Sequence, residues 1–382
     1  MRKLAIIGAS YLQMPLIETA KNMGFETHVF AWKDNAPGET AADVFYPISI
    51  VETEEILSVC RSIGICGICS IASDLAMKTV SAVAAALGLP GNSTEAAEHA
   101  MDKHQMRTLF ALHGDPSPRS ILVETAEDLA GSDLAFPLIV KPLDRSGSRG
   151  ITKIYAANEL PAAIEAAKAA GFQKKALVEE YAEGKEYSAE GISVNGRHRL
   201  LAVTEKFTTG SPHFIETGHL EPAGLTRAQY QEVESVVSHA LDSLGLTTGA
   251  SHSEFKIRKD GAIVLIEIGG RMGGDLIGSN LVPLTTGIDY VKAVIQCAVG
   301  EPVDLQAKDH AGAAGVRFLL NEEDRAVLDQ LQAEHPEYLV DYEIYPGEGP
   351  VTDSSARHGW FLMKADKRED LLPYLPEGTV EE

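Results

Sequence analysis

Two apolar, alternating runs, Ser253–Arg258 and Ala262–Ile268, flank Lys259-Asp260-Gly261. An Asp-Gly between such runs predicts a β-hairpin, and a hairpin fixes which residues can meet across it. This one carries a carboxylate on each strand, Glu254 and Glu267. Glu267 lies inside Val264-Leu265-Ile266-Glu267-Ile268, where an unpaired charge is expensive to bury. Two carboxylates on paired strands can converge on one face and hold Mg²⁺, which prefers hard oxygen ligands together with phosphate and water. A tolerated pair of surface acids is the plainer alternative. The hairpin runs into Gly269-Gly270-Arg271-Met272-Gly273-Gly274-Asp275. From that turn Arg271 can bring its planar fork to a phosphate or a developing oxyanion.

Upstream, Pro137-Leu138-Ile139-Val140-Lys141-Pro142 places Lys141 at the end of an apolar strand, just before Asp144-Arg145-Ser146-Gly147-Ser148-Arg149-Gly150. Such a loop can turn backbone N–H groups toward a polyphosphate, with its serines and arginines as further donors. It is not a Walker loop, because GxxxxGK[ST] is absent and a strand follows. A long hairpin with a flexible tip is the competing reading. In Leu177–Glu186, the backbone of Glu180–Ala182 can pair with an adenine edge and Glu186 can accept from ribose hydroxyls. Acids around a solvated turn are the bland alternative.

Phosphate-binding cations must here be gathered locally, since 33 Lys and Arg face 55 Asp and Glu, a net charge of −22. That balance argues against a general nucleic-acid binder. No apolar run approaches the roughly 18 residues that span a bilayer, and the N-terminal apolar stretch is shorter than a signal peptide's. The expectation is a cytoplasmic protein with no membrane partner. Cys66 and Cys69 form a CxxC inside a run expected to be a buried strand, and no second pair completes a zinc site.

The alternation of Leu4–Gly8, a helical stretch to Gly24, His28–Trp32, Ile63–Ile71 and helical Asp74–Leu87 predicts a parallel sheet covered by helices. Gly8-Ala9-Ser10-Tyr11-Leu12-Gln13 lacks the later glycines of a dinucleotide fingerprint. Thr94–His113, Glu159–Ala170, Arg227–Leu244 and Glu322–His335 read as helices, and Gly315–Leu320 as a strand. Expected domains are 1–93, an α/β unit; 94–301, the unit carrying the loop and hairpin; and 302–382, a small α+β subdomain.

In this order, the lysine strand with its glycine-rich loop, the Leu177–Glu186 turn and the Glu254/Glu267 hairpin resemble the ATP-grasp superfamily over roughly residues 101–301. The resemblance implies an ATP-grasp fold, mixed α/β and α+β, preceded by a Rossmann-like domain. It implies that Lys103 and Lys141 contact ATP phosphates beneath Ser146, Gly147, Ser148 and Gly150. Glu180, Tyr181 and Ala182 match the adenine hinge and Glu186 the ribose position, with Glu179 a further ATP-site residue. Glu254 and Glu267 match the metal carboxylates, for Mg²⁺ or alternatively Mn²⁺. Many members carry Asn two residues after the second carboxylate; this chain has Gly269.

Glu267–Asp275 and Lys206–Ala223 are most similar to L-amino-acid ligases and related carboxylate–amine ligases. Glu216, Gly218, His219, Gly273 and Gly274 would then lie near the substrate, with Arg271 catalytic. The implied activity is ATP-dependent C–N ligation through an acyl phosphate, releasing ADP and phosphate. Implied partners are ATP and small carboxylate and amine substrates, with a homodimer as one expected assembly. The rivals are a ligase acting on a phosphoribosyl amine and a catalytically silent nucleotide-binding module.

Overall fold

The structure, a computed structural model, describes residues 1–145, 147, 149–211, 214–307, 312–347 and 349–377. Ser146 and Ser148 lie outside the described residues. The apolar opening forms β1 (Arg2–Ile7), which pairs in parallel with β2 (Phe25–Phe30) and β4 (Gly67–Cys69); β3 (Val44–Tyr46) extends the sheet, in the order β3-β2-β1-β4. Leu4, Ile6 and Ile7 are fully buried, as befits a strand covered on both faces. Helices α1 (Met14–Asn22) and α4 (Asp74–Leu87) pack against this sheet, with α2 (Pro37–Ala41) against α1 and α3 (Thr53–Ile63) against α4. The strand expected from Ile63 is shorter. α3 runs to Ile63 and ends on Gly64 at φ 69°, a left-handed stop that suits glycine.

Thr94–His113 is two helices, α5 (Thr94–Met101) and α6 (Lys103–His113). Asp102 breaks them. Its extended backbone lets its side chain accept from the N–H groups of His104 (2.9 Å) and Gln105 (3.0 Å), an N-cap that starts a new helix at Lys103. A small antiparallel sheet follows, built from β5 (Ser120–Val123), β6 (Leu138–Pro142), β7 (Thr152–Ile154) and β8 (Ala176–Glu180) in the order β5-β8-β6-β7. Leu160, Ala163, Ile164 and Ala167 of α7 (Leu160–Ala170) close its core.

The third sheet has eight antiparallel strands: β9 (Lys185–Val194), β10 (Arg197–Thr208), β11 (Glu216–Glu221), β12 (Gly249–Ile257), β13 (Ile263–Gly269), β14 (Ala313–Phe318), β15 (Leu339–Ile344) and β16 (Gly359–Ala365). Their order is β13-β12-β9-β10-β11-β14-β16-β15. The three strands beyond residue 301 therefore continue the sheet that carries the Glu254/Glu267 hairpin. α8 (Arg227–Leu244), capped by Thr226 and Gln229, turns Val233, Val237, Leu241 and Leu244 onto that sheet. Among the described residues, no helix is long and apolar enough to cross a membrane.

Candidate active site

A cleft of about 460 Å³ opens where the three sheets meet. Its walls include Asp74 from α4, Lys103 from α6, Lys141 from β6, Lys206 from β10, Glu254 and Glu267 from β12 and β13, Arg271, and Ser354 and Ser355.

On the phosphate side, Lys141 is buried at the end of β6 with its Nζ 2.6 Å from Glu179 on β8. Arg107 of α6 grips the same carboxylate at 2.9 Å, and its Nη2 donates to the carbonyl of Ile266 at 2.6 Å. Glu179, one of the expected ATP-site residues, is thus the buried counter-ion of two cations, and Arg107 ties it to the hairpin. Burial pushes the Lys141 ammonium down to about 8, against the pull of Glu179. Lys103 sits opposite, its Nζ donating to Glu267 (2.8 Å) and to the carbonyl of Arg145 in the glycine-rich loop (3.0 Å). Burial disfavours its charge, but Glu267, Asp74 and Glu254 outweigh burial and hold it above the ordinary lysine value.

Glu254 and Glu267 are direct cross-strand partners. Like charges so placed repel, and each is balanced by its own lysine. Lys206 Nζ donates to Glu254 at 2.7 Å and lies 3.1 Å from Glu186 and 3.6 Å from Glu216. His252 stands behind Glu254, with Nε2 3.2 Å from it and Nδ1 on the buried Glu190. Burial opposes the imidazolium, but Glu190 wins and raises His252 to about 9. The other oxygen of Glu190 accepts the N–H of Gly273 at 2.9 Å, so one buried carboxylate anchors the glycine-rich turn.

Of the hinge residues, Glu180, Tyr181 and Ala182 all line the cleft, and the Glu180 carboxylate also accepts from Arg119 Nε at 2.9 Å. Lys153 Nζ lies 3.5 Å from the Tyr181 ring centroid. Gly147 lines the cleft, whereas Gly150 (φ 73°) packs on α7, where a Cβ would come within 2.5 Å of Ala170.

At the far end, Arg271 forms a bidentate pair with Asp74, Nε to Oδ1 at 2.7 Å and Nη2 to Oδ2 at 2.9 Å. Burial raises the Asp74 pKa, but Arg271 prevails and holds the carboxyl below its usual range. Arg357, which stacks on Phe318, donates to Asp275 (2.8 Å) and Glu216 (3.1 Å); Ser354 adds a bond to Glu216 at 2.7 Å. Asp275 and Leu276 both have positive φ, 50° and 65°, strain of the kind that collects at functional sites. His219 is 1% exposed with neither ring nitrogen paired among the described residues, and burial holds its pKa well below the ordinary value.

Glu216, His219 and Gly274 line this end, but Gly218 and Gly273 do not. A Cβ at Gly218 would meet the Val316 carbonyl at 2.8 Å and one at Gly273 would meet Glu190 at 2.4 Å, so both glycines serve close packing. Asp74, Arg107, Glu190, Lys206, His252, Asp275 and Arg357 escaped the sequence reading. His252 lies one residue ahead of the predicted Ser253–Arg258 strand; β12 in fact begins at Gly249, which puts His252 and Glu254 on one face.

A family model for the ATP-grasp domain matches residues 134–279. The D-alanine–D-alanine ligase of Cupriavidus necator is 30% identical over 249 residues, covering 61% of this chain and 74% of the relative. The chain belongs to the ATP-grasp ligases. It is an ATP-dependent enzyme of the class that forms C–N bonds. Another ATP-grasp relative, the alanine–anticapsin ligase of Bacillus subtilis, is 27% identical over 378 residues, covering 88% of this chain and 74% of its own. The L-amino acid ligase structure from Bacillus licheniformis superposes with a TM-score of 0.83 at 22% identity, covering 98% of this chain and 96% of that one. The fold is therefore the ATP-grasp fold behind an α/β unit, as the motif order implies.

Proposed function

We propose that this ATP-grasp ligase phosphorylates the carboxylate of one amino-acid-like substrate with ATP and joins it to the amine of a second, releasing ADP and phosphate. The supporting observation is that Lys103, Lys141, Glu254 and Glu267, from four separate elements, and Arg271, from the turn after β13, all face one cleft. Lys103 and Lys141 bind the phosphates, and Tyr181 and Ala182 border the adenine. Glu254 and Glu267 fit a divalent cation, Mg²⁺ or Mn²⁺, because they set two hard carboxylates side by side on the cleft wall. When bound, that ion supplies neutralisation of charge on the transferring phosphoryl group. Arg271 stabilises the acyl phosphate and the tetrahedral oxyanion. The loop at 144–150 excludes water from the intermediate.

The far end favours a zwitterion over a phosphorylated amine. There Arg271 and Arg357 stand beside three carboxylates, Asp74, Asp275 and Glu216. Mixed charge of that kind suits the ammonium and carboxylate of an amino acid. The test is a screen of amino-acid pairs with Mg²⁺ and ATP for phosphate release and coupled product mass, with chromatography of the spent nucleotide. ADP is the expected product. AMP with pyrophosphate would mean adenylation and overturn the acyl-phosphate reading.

A pH dependence follows from Lys141. Below about 8 it carries the charge that attracts phosphate, and as pH rises past that value the charge is lost. ATP affinity should therefore fall above pH 8, approaching about tenfold per unit where only the charged form binds. In Lys141→Arg, which stays charged at any workable pH, this step should vanish. Titration of nucleotide binding from pH 7 to 10 checks it, and an identical decline in both proteins would remove Lys141 as its source.

A further inference from the structure

We propose that Asp74, contributed by the N-terminal unit, is the positioning residue for Arg271 and stands in the space that a side chain at position 269 would otherwise take. The inference rests on the ligase reading only for the reaction that Arg271 serves. The pairing is side-on, through Nε and Nη2. It leaves Nη1 and the outer Nη2 hydrogen at the end of the fork, where the only other bond among the described residues is a long one of 3.4 Å from Nη1 to the Met272 carbonyl. A guanidinium held along one edge keeps its other donors at a fixed angle, which is what a transient oxyanion requires.

Asp74 is itself well held. It opens α4, where a negative charge in the first turn is favoured, and Ser73 caps that helix. The preceding residue, Ala72, has φ 56° and donates its N–H to the Met272 carbonyl at 3.2 Å, binding the Asp74 loop to the turn that carries Arg271. A Cβ on Gly269 would lie 2.8 Å from Asp74 Oδ1 and 3.3 Å from Arg271 Nε. The first is closer than real Cβ atoms come, so a side chain there would have to displace the Asp74 carboxylate. The glycine makes room for the ion pair, and the pair in turn excludes a side chain at 269.

Asp74→Asn keeps the shape but removes the charge and one acceptor. Assayed with the amino-acid pair that releases most phosphate, it should lose about 10–100-fold in kcat, with the KM for ATP within about twofold and the thermal midpoint nearly unchanged. Gly269→Ala pushes on the same pair and should be similarly slow, and the double variant should be no worse than the poorer single one. The Arg271 Nε–Hε NMR resonance, identified by its loss in Arg271→Lys, should shift in both single variants. Unchanged kcat in Asp74→Asn, or a loss matched by a rise in ATP KM, overturns the proposal, as does additivity in the double variant. If the wild-type protein releases phosphate with no amino-acid pair, the ligase reading fails separately. The resonance then decides alone: a shift in both variants supports the positioning role, and no shift refutes it.

Discussion

Arg271→Lys is expected to give a folded protein that binds ATP normally and turns over about 10²–10³ times more slowly, the usual cost of losing one oxyanion donor. The charge survives, so the salt bridge to Asp74 can be remade by a single ammonium. What disappears is the fork. In the wild-type protein one edge of the guanidinium is spent on Asp74, at 2.7 and 2.9 Å, and the remaining donors serve the reacting oxygens. An ammonium that pairs with Asp74 has no rigid second edge to offer. The loss should appear in kcat with ATP KM unmoved, the signature of an interaction made only in the transition state. Wild-type turnover in this variant would leave Lys103, Lys141 and a cation held by the carboxylate pair as the whole phosphoryl-stabilising set.

The largest effect on stability is expected one strand away. Glu179→Ala strands Arg107 and Lys141, side chains only 3% and 5% exposed, next to each other without their shared carboxylate. Breaking a buried pair from one side costs about 3–5 kcal/mol, because the remaining charge is neither solvated nor matched. The neighbouring Glu180→Ala is the internal comparison. Its partner Arg119 is 53% exposed, so that loss should stay below about 1 kcal/mol. Urea midpoints of the two variants check the contrast, and equal shifts would show that the Arg107–Glu179–Lys141 triad contributes no more than a surface pair.

These two neighbours show where sequence reading reaches its limit. The segment carrying them was legible as a candidate nucleotide hinge, and in the strand it forms, β8, adjacent residues face opposite ways. Which of them faces the core depends on α6, packed there from some seventy positions upstream. The hairpin with Glu254 and Glu267 was legible because its turn, register and chemistry lie within a few residues of one another. Lys206 was not. It sits in a strand whose partners, Glu186 and Glu254, are brought to it by sheet order rather than by spacing. The break at Asp102 carried a local signal, an N-cap residue followed by polar positions, but the surrounding helical pattern on both sides masked it. Arg357 and Ser354 reach the site only because β14 and β16 continue the sheet beyond β11, a pairing that no local pattern encodes.

The missing side chain at position 269 has a consequence for anyone who would recombine this enzyme with its relatives. Positions 74 and 269 lie on separate units of the chain yet claim the same few cubic ångströms. A chimera that joins this N-terminal unit to a hairpin bearing asparagine at 269 would place two polar groups where there is room for one. A foreign N-terminal unit with no acid at position 74 would leave Arg271 beside a hole. The two halves are thus a matched set, and module exchange across that boundary works only if both positions travel together.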